Sequence, residues 1–256
     1  MNNKIEFGDL AGKSVFITGG GSGIGAYLTE GFVSQGAKVA FVQRSDASEL
    51  CDQIEKRHGN RPLFIPTDIT DIDALASAID QTRDAHGLIS ILVNNAASDN
   101  RHTLEEVTVE GWDQSIAINL RPQFFTAQNV SGDMKKNGGG SIINFSSISY
   151  IMGNAGYPAY VTAKAGITGL TRGLARELGP HNIRVNALMP GWVQTKRQQD
   201  LWVNPEALAG HIDRQCLKEE IKPEDMIAPT LFLASEASRM MTGQALVIDG
   251  GVVVTG

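Results

Sequence analysis

The chain has 256 residues, of which 42% are hydrophobic and 20% are charged, a composition that suits one globular α/β domain with a full core. Its net charge of −6 argues against a nucleic acid or an anionic membrane as partner, because both would favour a basic surface. No stretch approaches the ~18 consecutive apolar residues of a membrane-spanning helix. The two cysteines, Cys51 and Cys216, lie far apart and outside any CxxC pattern, so we expect a reducing, cytoplasmic location.

Short apolar runs alternate with helical patterns along almost the whole chain. Strands are predicted for seven apolar or β-branched runs, at 14–20, 37–42, 63–68, 89–97, 141–147, 183–191 and 245–251. Helices are predicted between them, at 24–36, 47–57, 71–87, 110–134, 158–178 and 223–235. Continuous apolar strands that alternate with helices are typical of a parallel sheet covered on both faces. The pattern therefore predicts an α/β fold, a single Rossmann-type doubly wound domain over residues 1–256 with a seven-stranded parallel sheet flanked by helices.

One long segment, residues 192–220, departs from this alternation. It contains Trp192, Trp202 and Pro205 and is longer than an ordinary connection between a strand and a helix. Long connections in compact domains are usually functional. We therefore expect a substrate lid around 192–220 within the single domain.

A glycine-rich turn, TGGGSGIG at 18–25, follows the first predicted strand and opens the first predicted helix. Glycines let backbone N–H groups approach a phosphate, and a helix N-terminus adds partial positive charge there. A tight turn without a ligand is the alternative, but four glycines around Ser22 exceed what such a turn needs. The turn therefore favours a dinucleotide site.

A second pattern is YVTAK at 160–164, with SSIS upstream at 146–149. Residues four apart share one face of a helix, so Tyr160 and Lys164 should be neighbours. A free tyrosine has a pKa of about 10, and a nearby ammonium group favours the phenolate. We therefore predict that Lys164 lowers the pKa of Tyr160 towards the range of a general base. Taken alone, the pair is more simply explained as two exposed helix residues.

In combination with further motifs, these patterns resemble the short-chain dehydrogenase/reductase family. Three of the further motifs lie at the ends of predicted strands: TD at 67–68, NNA at 94–96 and PG at 190–191. Ser147 stands thirteen residues before Tyr160, and Thr195 follows the PG motif. The order and spacing of the motifs cover nearly the whole chain. The one departure is Ala97, where the family usually has glycine.

The resemblance implies a nicotinamide-dependent oxidoreductase whose catalytic residues are Asn119, Ser147, Tyr160 and Lys164. Tyr160 would be the base, Ser147 would orient the substrate oxygen, and Lys164 would also hold the nicotinamide ribose. Asn119 would support a water that links Lys164 to bulk solvent. The implied cofactor-binding residues are Gly19, Gly21, Ser22, Gly23, Ile24, Gln43, Arg44, Asp68, Ile69, Asn95, Ala96, Ala97, Tyr160, Lys164, Pro190, Gly191, Val193 and Thr195.

The end of the second strand bears on the choice between NAD and NADP. An acidic side chain there would bind the ribose 2′-hydroxyl of NAD, whereas an arginine accommodates the 2′-phosphate of NADP. This chain has Gln43 followed by Arg44. A neutral amide does not repel the phosphate, and arginine can bind it bidentately. NADP is therefore favoured, although the glycine turn has no basic residue and use of both cofactors stays open.

The substrate class is predicted from the segments 98–104, 147–154 and 191–217, of which the first and third resemble those of bacterial aldose 1-dehydrogenases. They are rich in polar groups, including Asp99, His102 and Gln194, and Trp192 and Tyr150 offer flat apolar faces. Hydrogen-bonding groups beside aromatic rings suit a sugar. The predicted substrate-binding residues are Asn100, Arg101, Ser147, Ser149, Asn154, Tyr160, Trp192 and Arg197. The prediction is that C1 of a cyclic aldose is oxidised to an aldonolactone.

Two alternatives stay open at this stage. One is an enzyme of the same family that acts on a polyol or a 3-oxoacyl thioester. The other is a cofactor-binding regulatory or scaffold protein without turnover, which the presence of all four catalytic residues makes less favourable. His102, His181 and His211 have no metal-ligand spacing, so we predict no catalytic metal. The resemblance also implies a homotetramer that pairs late helices and C-terminal strands.

Overall fold

The computed structural model describes residues 6–254 and contains seven strands where the sequence predicts them. They are β1 (Ser14–Thr18), β2 (Lys38–Gln43), β3 (Leu63–Pro66), β4 (Ile91–Asn94), β5 (Gly140–Phe145), β6 (Ile183–Pro190) and β7 (Ala245–Ile248). They form one sheet in the order β3-β2-β1-β4-β5-β6-β7, and every neighbouring pair is parallel. The predicted seven-stranded parallel sheet is therefore confirmed.

Both faces of the sheet are buried under helices. In β1, Val15 and Ile17 belong to one hydrophobic cluster and Phe16 belongs to another, because successive side chains of a strand point to opposite faces. The helices among the described residues are α1 (Gly23–Ser34), α2 (Ser48–His58), α3 (Ile72–His86), α4 (Val109–Asn119), α5 (Arg121–Lys136), α6 (Ser149–Met152), α7 (Pro158–Leu178), α8 (Lys196–Leu201), α9 (Pro205–Arg214) and α10 (Ile227–Ala234). In residues 6–254, no helix combines the length and the apolar character that crossing a membrane requires.

The region predicted as one helix over 110–134 is two helices, α4 and α5, which meet at Leu120. Leu120 has φ −125° and ψ −52°, outside helical geometry. Pro122 explains the break, because it has no N–H to donate to the preceding turn but fits well in the first turn of a new helix. The late helix is also shorter than predicted, because residues Pro223–Met226 form a 3-10 turn before α10.

The strand order places a crevice at the carboxyl ends of β1 and β4. These strands are neighbours, with Thr18 paired to Asn94, yet the chain leaves them towards opposite sides of the sheet. Ligands of open parallel sheets bind at such a switch point. The glycine turn after β1 and the Asn-Asn-Ala segment after β4 therefore lie at the edge where a cofactor is expected.

Buried amides tie the strands together beneath this crevice. Asn94 Nδ2 donates to Asn144 Oδ1 at 3.0 Å, and Asn94 Oδ1 accepts from Thr126 Oγ1 at 2.8 Å. Asn144 Nδ2 in turn donates to Thr171 Oγ1 at 3.1 Å. The chain of bonds links β4 and β5 to α5 and α7, the helix that carries Tyr160 and Lys164. Because buried polar groups are costly when unpaired, this network fixes the position of α7 against the sheet.

Candidate active site

A cleft of about 1390 Å³ opens at the carboxyl ends of the strands. Its walls come from the glycine turn, the ends of β2 and β3, the segments after β4, β5 and β6, the first half of α7, and parts of α8 and α9. The predicted site residues line this cleft, with the exception of Gly21 and Asn119. Gly21 lies behind Gln43, since a Cβ built on it would meet the Gln43 side chain at 2.4 Å.

The glycine turn brings backbone very close to backbone. A Cβ on Gly25 would lie 1.8 Å from the carbonyl oxygen of Gly19, so no side chain fits there. Gly23 has φ +51°, in the left-handed region that favours glycine. Ser22 stands at the N-cap of α1, but its side chain makes no capping hydrogen bond. The first N–H groups of α1 are thus left for another acceptor, which fits the phosphates of a dinucleotide.

Asn95 and Thr18 hold the glycine turn against the segment after β4. Asn95 Nδ2 donates to the carbonyl oxygens of Gly19 and Thr18 at 3.0 and 3.3 Å. Thr18 Oγ1 accepts from the backbone N–H groups of Asn95 and Ala96 at 3.1 and 3.2 Å. A Cβ on Gly19 would approach Ala96 Cα at 2.9 Å. The side chains of Asn95 and Thr18 therefore hold together the two segments that form the expected cofactor side of the cleft.

The far end of the cofactor side is formed by Gln43, Arg44 and Asp68. Gln43 Nε2 donates to the carbonyl oxygen of Ser45 at 2.9 Å. Arg44 Nη1 lies 3.8 Å from Asp68 Oδ2, and the Arg44 side chain is 76% exposed. Backbone and side-chain hydrogen bonds from Thr70 lower the pKa of Asp68, and the Arg44 guanidinium adds to this. An exposed ion pair of this length is weak, so Arg44 can turn to another anion at little cost.

The catalytic candidates converge at the end of β5 and on α7. Lys164 is 2% exposed, and its Nζ donates to the carbonyl oxygen of Phe145 at 2.8 Å. The same Nζ lies 5.3 Å from the centroid of the Tyr160 ring. Ser147 forms a side-chain hydrogen bond with Tyr160, and its Oγ also accepts from the backbone N–H of Ser149 at 3.1 Å. The structure thus brings Ser147, Tyr160 and Lys164 together, as the sequence predicts.

The expected lowering of the Tyr160 pKa is wrong for the protein alone. Burial raises the pKa of Tyr160, and the negative charge of Asp99 raises it further, whereas the hydrogen bond from Ser147 and the charge of Arg101 lower it. Burial also lowers the pKa of Lys164 to about 7, against the influence of Asp99. Burial thus favours the neutral form of Lys164, so Lys164 supplies the phenolate with less positive charge than an exposed lysine would.

Asn119 lies beside the cleft and organises one of its walls. It is 1% exposed at the end of α4. Its Oδ1 accepts from the Ser98 N–H at 2.9 Å, and its Nδ2 donates to the carbonyl oxygens of Ser98 and Ser115, each at 3.0 Å. The side chain therefore anchors the segment that begins at Ser98 and leads to Asp99, Asn100 and Arg101.

Helix α8 is tied to this segment by polar contacts. Arg197 Nε lies 3.5 Å from Asp99 Oδ1, and Arg197 Nη2 donates to Asn100 Oδ1 at 3.1 Å. Gln198 donates from Nε2 to Asp99 Oδ2 at 2.7 Å and accepts at Oε1 from Trp192 Nε1 at 2.9 Å. The 192–220 segment is thus joined to the opposite wall of the cleft. Gln198 was not predicted, because nothing in the sequence links it to a residue about a hundred positions earlier.

Several aromatic and polar predictions need revision. Tyr150 was expected to offer a flat face to the substrate, but it lies outside the cleft lining, with its hydroxyl 3.8 Å from Met189 Sδ. Tyr157 lines the cleft instead, accepts from Asn154 Nδ2 at 3.0 Å, and has Arg101 Cζ 4.0 Å from its ring centroid. Tyr157 immediately precedes α7, so a helical pattern that begins at Pro158 does not reveal it. His102 and Gln194, which belong to the polar residues of the predicted substrate segments, do not line the cleft either.

Two further lining residues, His211 and Arg214, lie on α9 and were not predicted to belong to the site. Their spacing of three residues suits one helix face, but the sequence alone does not show that this face meets the cleft. The His211 ring lies edge-on to Trp192, with centroids 5.4 Å apart. Within residues 6–254, no group of three or more His, Cys, Asp or Glu side chains is arranged to hold a metal ion.

Comparisons with known proteins agree with this geometry. A family model described as enoyl-(acyl carrier protein) reductase matches residues 19–253. A Rhizobium meliloti protein named "probable galactose dehydrogenase GalD" is 49% identical over 96% of this chain and 97% of its own length. The D-xylose 1-dehydrogenase of Caulobacter vibrioides is 46% identical over 94% of this chain and 96% of its own.

Solved structures give the same result. A short-chain type dehydrogenase/reductase from Mycobacterium ulcerans superposes with a TM-score of 0.91 at 28% identity, covering 97% of this chain and 91% of that one. The motifs and the matches thus extend over nearly the full length of this chain, and the sheet order agrees with them. The chain belongs to the short-chain dehydrogenase/reductase family, whose members are nicotinamide-dependent oxidoreductases.

Proposed function

We propose that the protein oxidises a cyclic aldose at C1 and releases the aldonolactone. The observation that carries this proposal is the similarity, over 94% of the chain or more, to two proteins named as galactose and D-xylose dehydrogenases. The cleft supports it, because its substrate side combines the charged or amide groups of Asp99, Asn100 and Arg197 with the ring of Trp192. Sugars present several hydroxyls around a weakly apolar ring and need such a mixture.

Tyr160 is the proposed base. Burial disfavours the Tyr160 phenolate in the protein alone, whereas the positive charge of the oxidised nicotinamide, when bound, favours it. The phenolate accepts the proton of the anomeric hydroxyl, while Ser147 Oγ hydrogen-bonds the same oxygen and orients C1. The nicotinamide, when bound, supplies the hydride acceptor. Lys164 exchanges a proton near neutral pH because its pKa is about 7, which suits a group that restores the protonation state of Tyr160. Asn119 positions the Ser98–Arg101 wall. Its proposed second role is to support a water that links Lys164 to bulk solvent.

The 192–220 segment is proposed as the substrate lid of a single domain. Support comes from the contacts of Arg197 and Gln198 with Asp99 and Asn100, which bridge the cleft from α8. These contacts are polar and partly exposed, so they can break and reform at modest cost. A lid of this kind would admit the sugar and then exclude water from C1.

A panel of pentoses and hexoses, assayed with NAD and NADP by the absorbance of the reduced nicotinamide, tests the proposed function. We expect turnover of at least one aldose, with a lactone as the first product. The competing candidate is reduction of an acyl thioester, which the description of the matching family model favours. A polyol with NAD and NADP, and a 3-oxoacyl thioester with NADH and NADPH as hydride donors, therefore belong in the same panel. Turnover of either of these without any aldose would reject the proposal.

For the cofactor, we propose that NADP is accepted and that Arg44 binds its 2′-phosphate. Support comes from the position of Arg44 in the cleft lining, its weak pairing with Asp68, and the absence of an acidic side chain at Gln43. We expect Arg44→Ala to lower kcat/KM for NADP about tenfold or more and to change that for NAD far less. Arg61→Ala, which removes an exposed arginine outside the cleft, is the matched control. A strong NAD preference unaffected by Arg44→Ala would contradict the assignment.

We further propose a homotetramer in the cytoplasm. Among the strands of residues 6–254, β7 pairs only with β6, and all four of its residues are partly exposed. This supports a role for the C-terminal strand in pairing subunits. Trp112 and Phe124 are exposed aromatic residues on α4 and α5 and would provide a second contact surface. Cys51 and Cys216 are both free, which suits a reducing compartment. Light scattering in solution measures the assembly directly.

A further inference from the structure

His211 is a buried side chain in the wall of the cleft. It is 6% exposed, and it reaches the cleft lining from α9, next to Arg214. Among the buried side-chain polar atoms of residues 6–254 that lack a hydrogen-bond partner, only Ser149 Oγ and His211 Nε2 belong to residues that line the cleft. Buried polar groups are nearly always paired, so two unpaired ones in a binding cleft indicate hydrogen bonds completed by a ligand.

The neighbours of His211 determine which kind of hydrogen bond it can make. Arg214 Nη2 lies 3.4 Å from His211 Nδ1. An arginine has only donors, so Nδ1 must be the acceptor, and the neutral imidazole then carries its proton on Nε2. The ring is kept neutral because burial lowers the pKa of His211 and the Arg214 charge lowers it further, with Asp249 acting in the opposite direction. His211 therefore presents an N–H donor without an acceptor.

Trp192 places this donor on the substrate side of the cleft. The Trp192 and His211 rings meet at 84° with centroids 5.4 Å apart, and Trp192 is held through Gln198 to Asp99. Trp192 follows Gly191 directly, and its ring is one of the flat faces available to a sugar. A donor beside such a face suits an oxygen on the rim of the sugar ring.

We propose that His211 Nε2 donates a hydrogen bond to a non-anomeric hydroxyl of the sugar and is a specificity-determining residue of the site. Arg214 is then a positioning residue that fixes the tautomer of His211. This inference rests on the proposed aldose dehydrogenase activity and deepens it. Neither residue takes part in the proton transfer, which Tyr160 performs.

A mutant cycle with deoxy sugars tests the proposal. The best aldose is compared with its monodeoxy analogues in the wild type and in two variants. His211→Phe removes the donor but keeps an aromatic ring beside Trp192. His211→Gln retains an amide donor. We expect His211→Phe to lower kcat/KM for the parent sugar about tenfold or more, mainly through KM. One deoxy analogue should show the same loss in the wild type and no further loss in His211→Phe. His211→Gln should recover part of the activity, and the pH profile should not move.

Equal losses by His211→Phe on the parent sugar and on every deoxy analogue would assign a purely structural role and overturn the proposal. Unchanged kinetics in His211→Phe would also overturn it. Thermal melting and cofactor binding by fluorescence report on folding, and Arg214→Met takes the place of His211→Phe in the cycle if the latter does not fold. The kinetics of the variants are compared with those of the wild type only if the wild type oxidises an aldose. Failure of the wild type with every aldose is thus a separate result, and it would overturn the proposed function together with this inference.

Discussion

Replacing Lys164 with methionine should abolish turnover and yet stabilise the folded protein at neutral and acidic pH. Lys164 is 2% exposed, and burial lowers its pKa from 10.5 to about 7. At about 1.4 kcal/mol per tenfold change in the ionisation constant, this corresponds to a cost on the order of 5 kcal/mol for keeping the ammonium buried. Methionine removes that cost but leaves the Phe145 carbonyl oxygen without its donor, which costs about 1–3 kcal/mol. The net gain below pH 7 is therefore a few kcal/mol.

The pH dependence separates these two contributions. Between pH 7 and 10.5 the unfolded chain binds the Lys164 proton more strongly than the folded protein does, so wild-type stability rises with pH across this window. The methionine variant lacks this rise, and the lost hydrogen bond to Phe145 does not titrate. The advantage of Lys164→Met should thus be largest at pH 6 and should disappear or reverse near pH 10.

Urea unfolding of both proteins at pH 6, 8 and 10 measures the difference. Lys135→Met, at an exposed position near the end of α5, serves as the matched control and should show no such trend. If the stability difference between Lys164→Met and the wild type were the same at all three pH values, the assignment of Lys164 as a buried, neutralised lysine would be refuted.

Three other predictions follow from the same geometry. Tyr160→Phe should retain cofactor binding, measured by fluorescence, and lose nearly all turnover; turnover close to that of the wild type would reject Tyr160 as the base. Asp99→Asn keeps an acceptor for Gln198 and removes a charge that raises the pKa of Tyr160, so the rise of kcat for sugar oxidation with pH should shift to lower pH. A shift to higher pH, or none, would contradict this electrostatic role. Gly25→Ala should weaken cofactor binding and destabilise the fold by about 1–3 kcal/mol, because its Cβ would overlap the Gly19 carbonyl oxygen. Gly173→Ala on α7, which has open space around it, should leave stability unchanged or improved, and similar melting of the two variants would count against the close approach.

The sheet and the proximity of Tyr160 and Lys164 were predictable because their signals are local. Each strand is a continuous apolar run, and Tyr160 and Lys164 share a helix face at a spacing of four. The break at Leu120 was also local, since Pro122 marks it, but the apolar periodicity on both sides concealed it. The motifs and their positions along the chain were thus enough to predict most of the fold and most residues of the expected cofactor side of the cleft.

The substrate side depended on contacts that no local pattern reveals. Gln198 meets Asp99 across the cleft, and Tyr157 rather than Tyr150 faces the substrate space. No motif near His211 in the sequence indicates a place in the site. Its position in the cleft wall depends on the packing of α9 beside Trp192. The pKa of Tyr160 was predicted with the wrong sign for a related reason: the sequence shows that Lys164 is near but not how deeply both groups are buried.

The central claim, that C1 of an aldose is the reacting carbon and Tyr160 the base, is tested most directly with a sugar deuterated at C1. The account predicts that the deuterium appears in the reduced nicotinamide, that the lactone is the product, and that Tyr160→Phe transfers almost none of the label. A reduced nicotinamide without deuterium, accompanied by oxidation at another carbon, would contradict it.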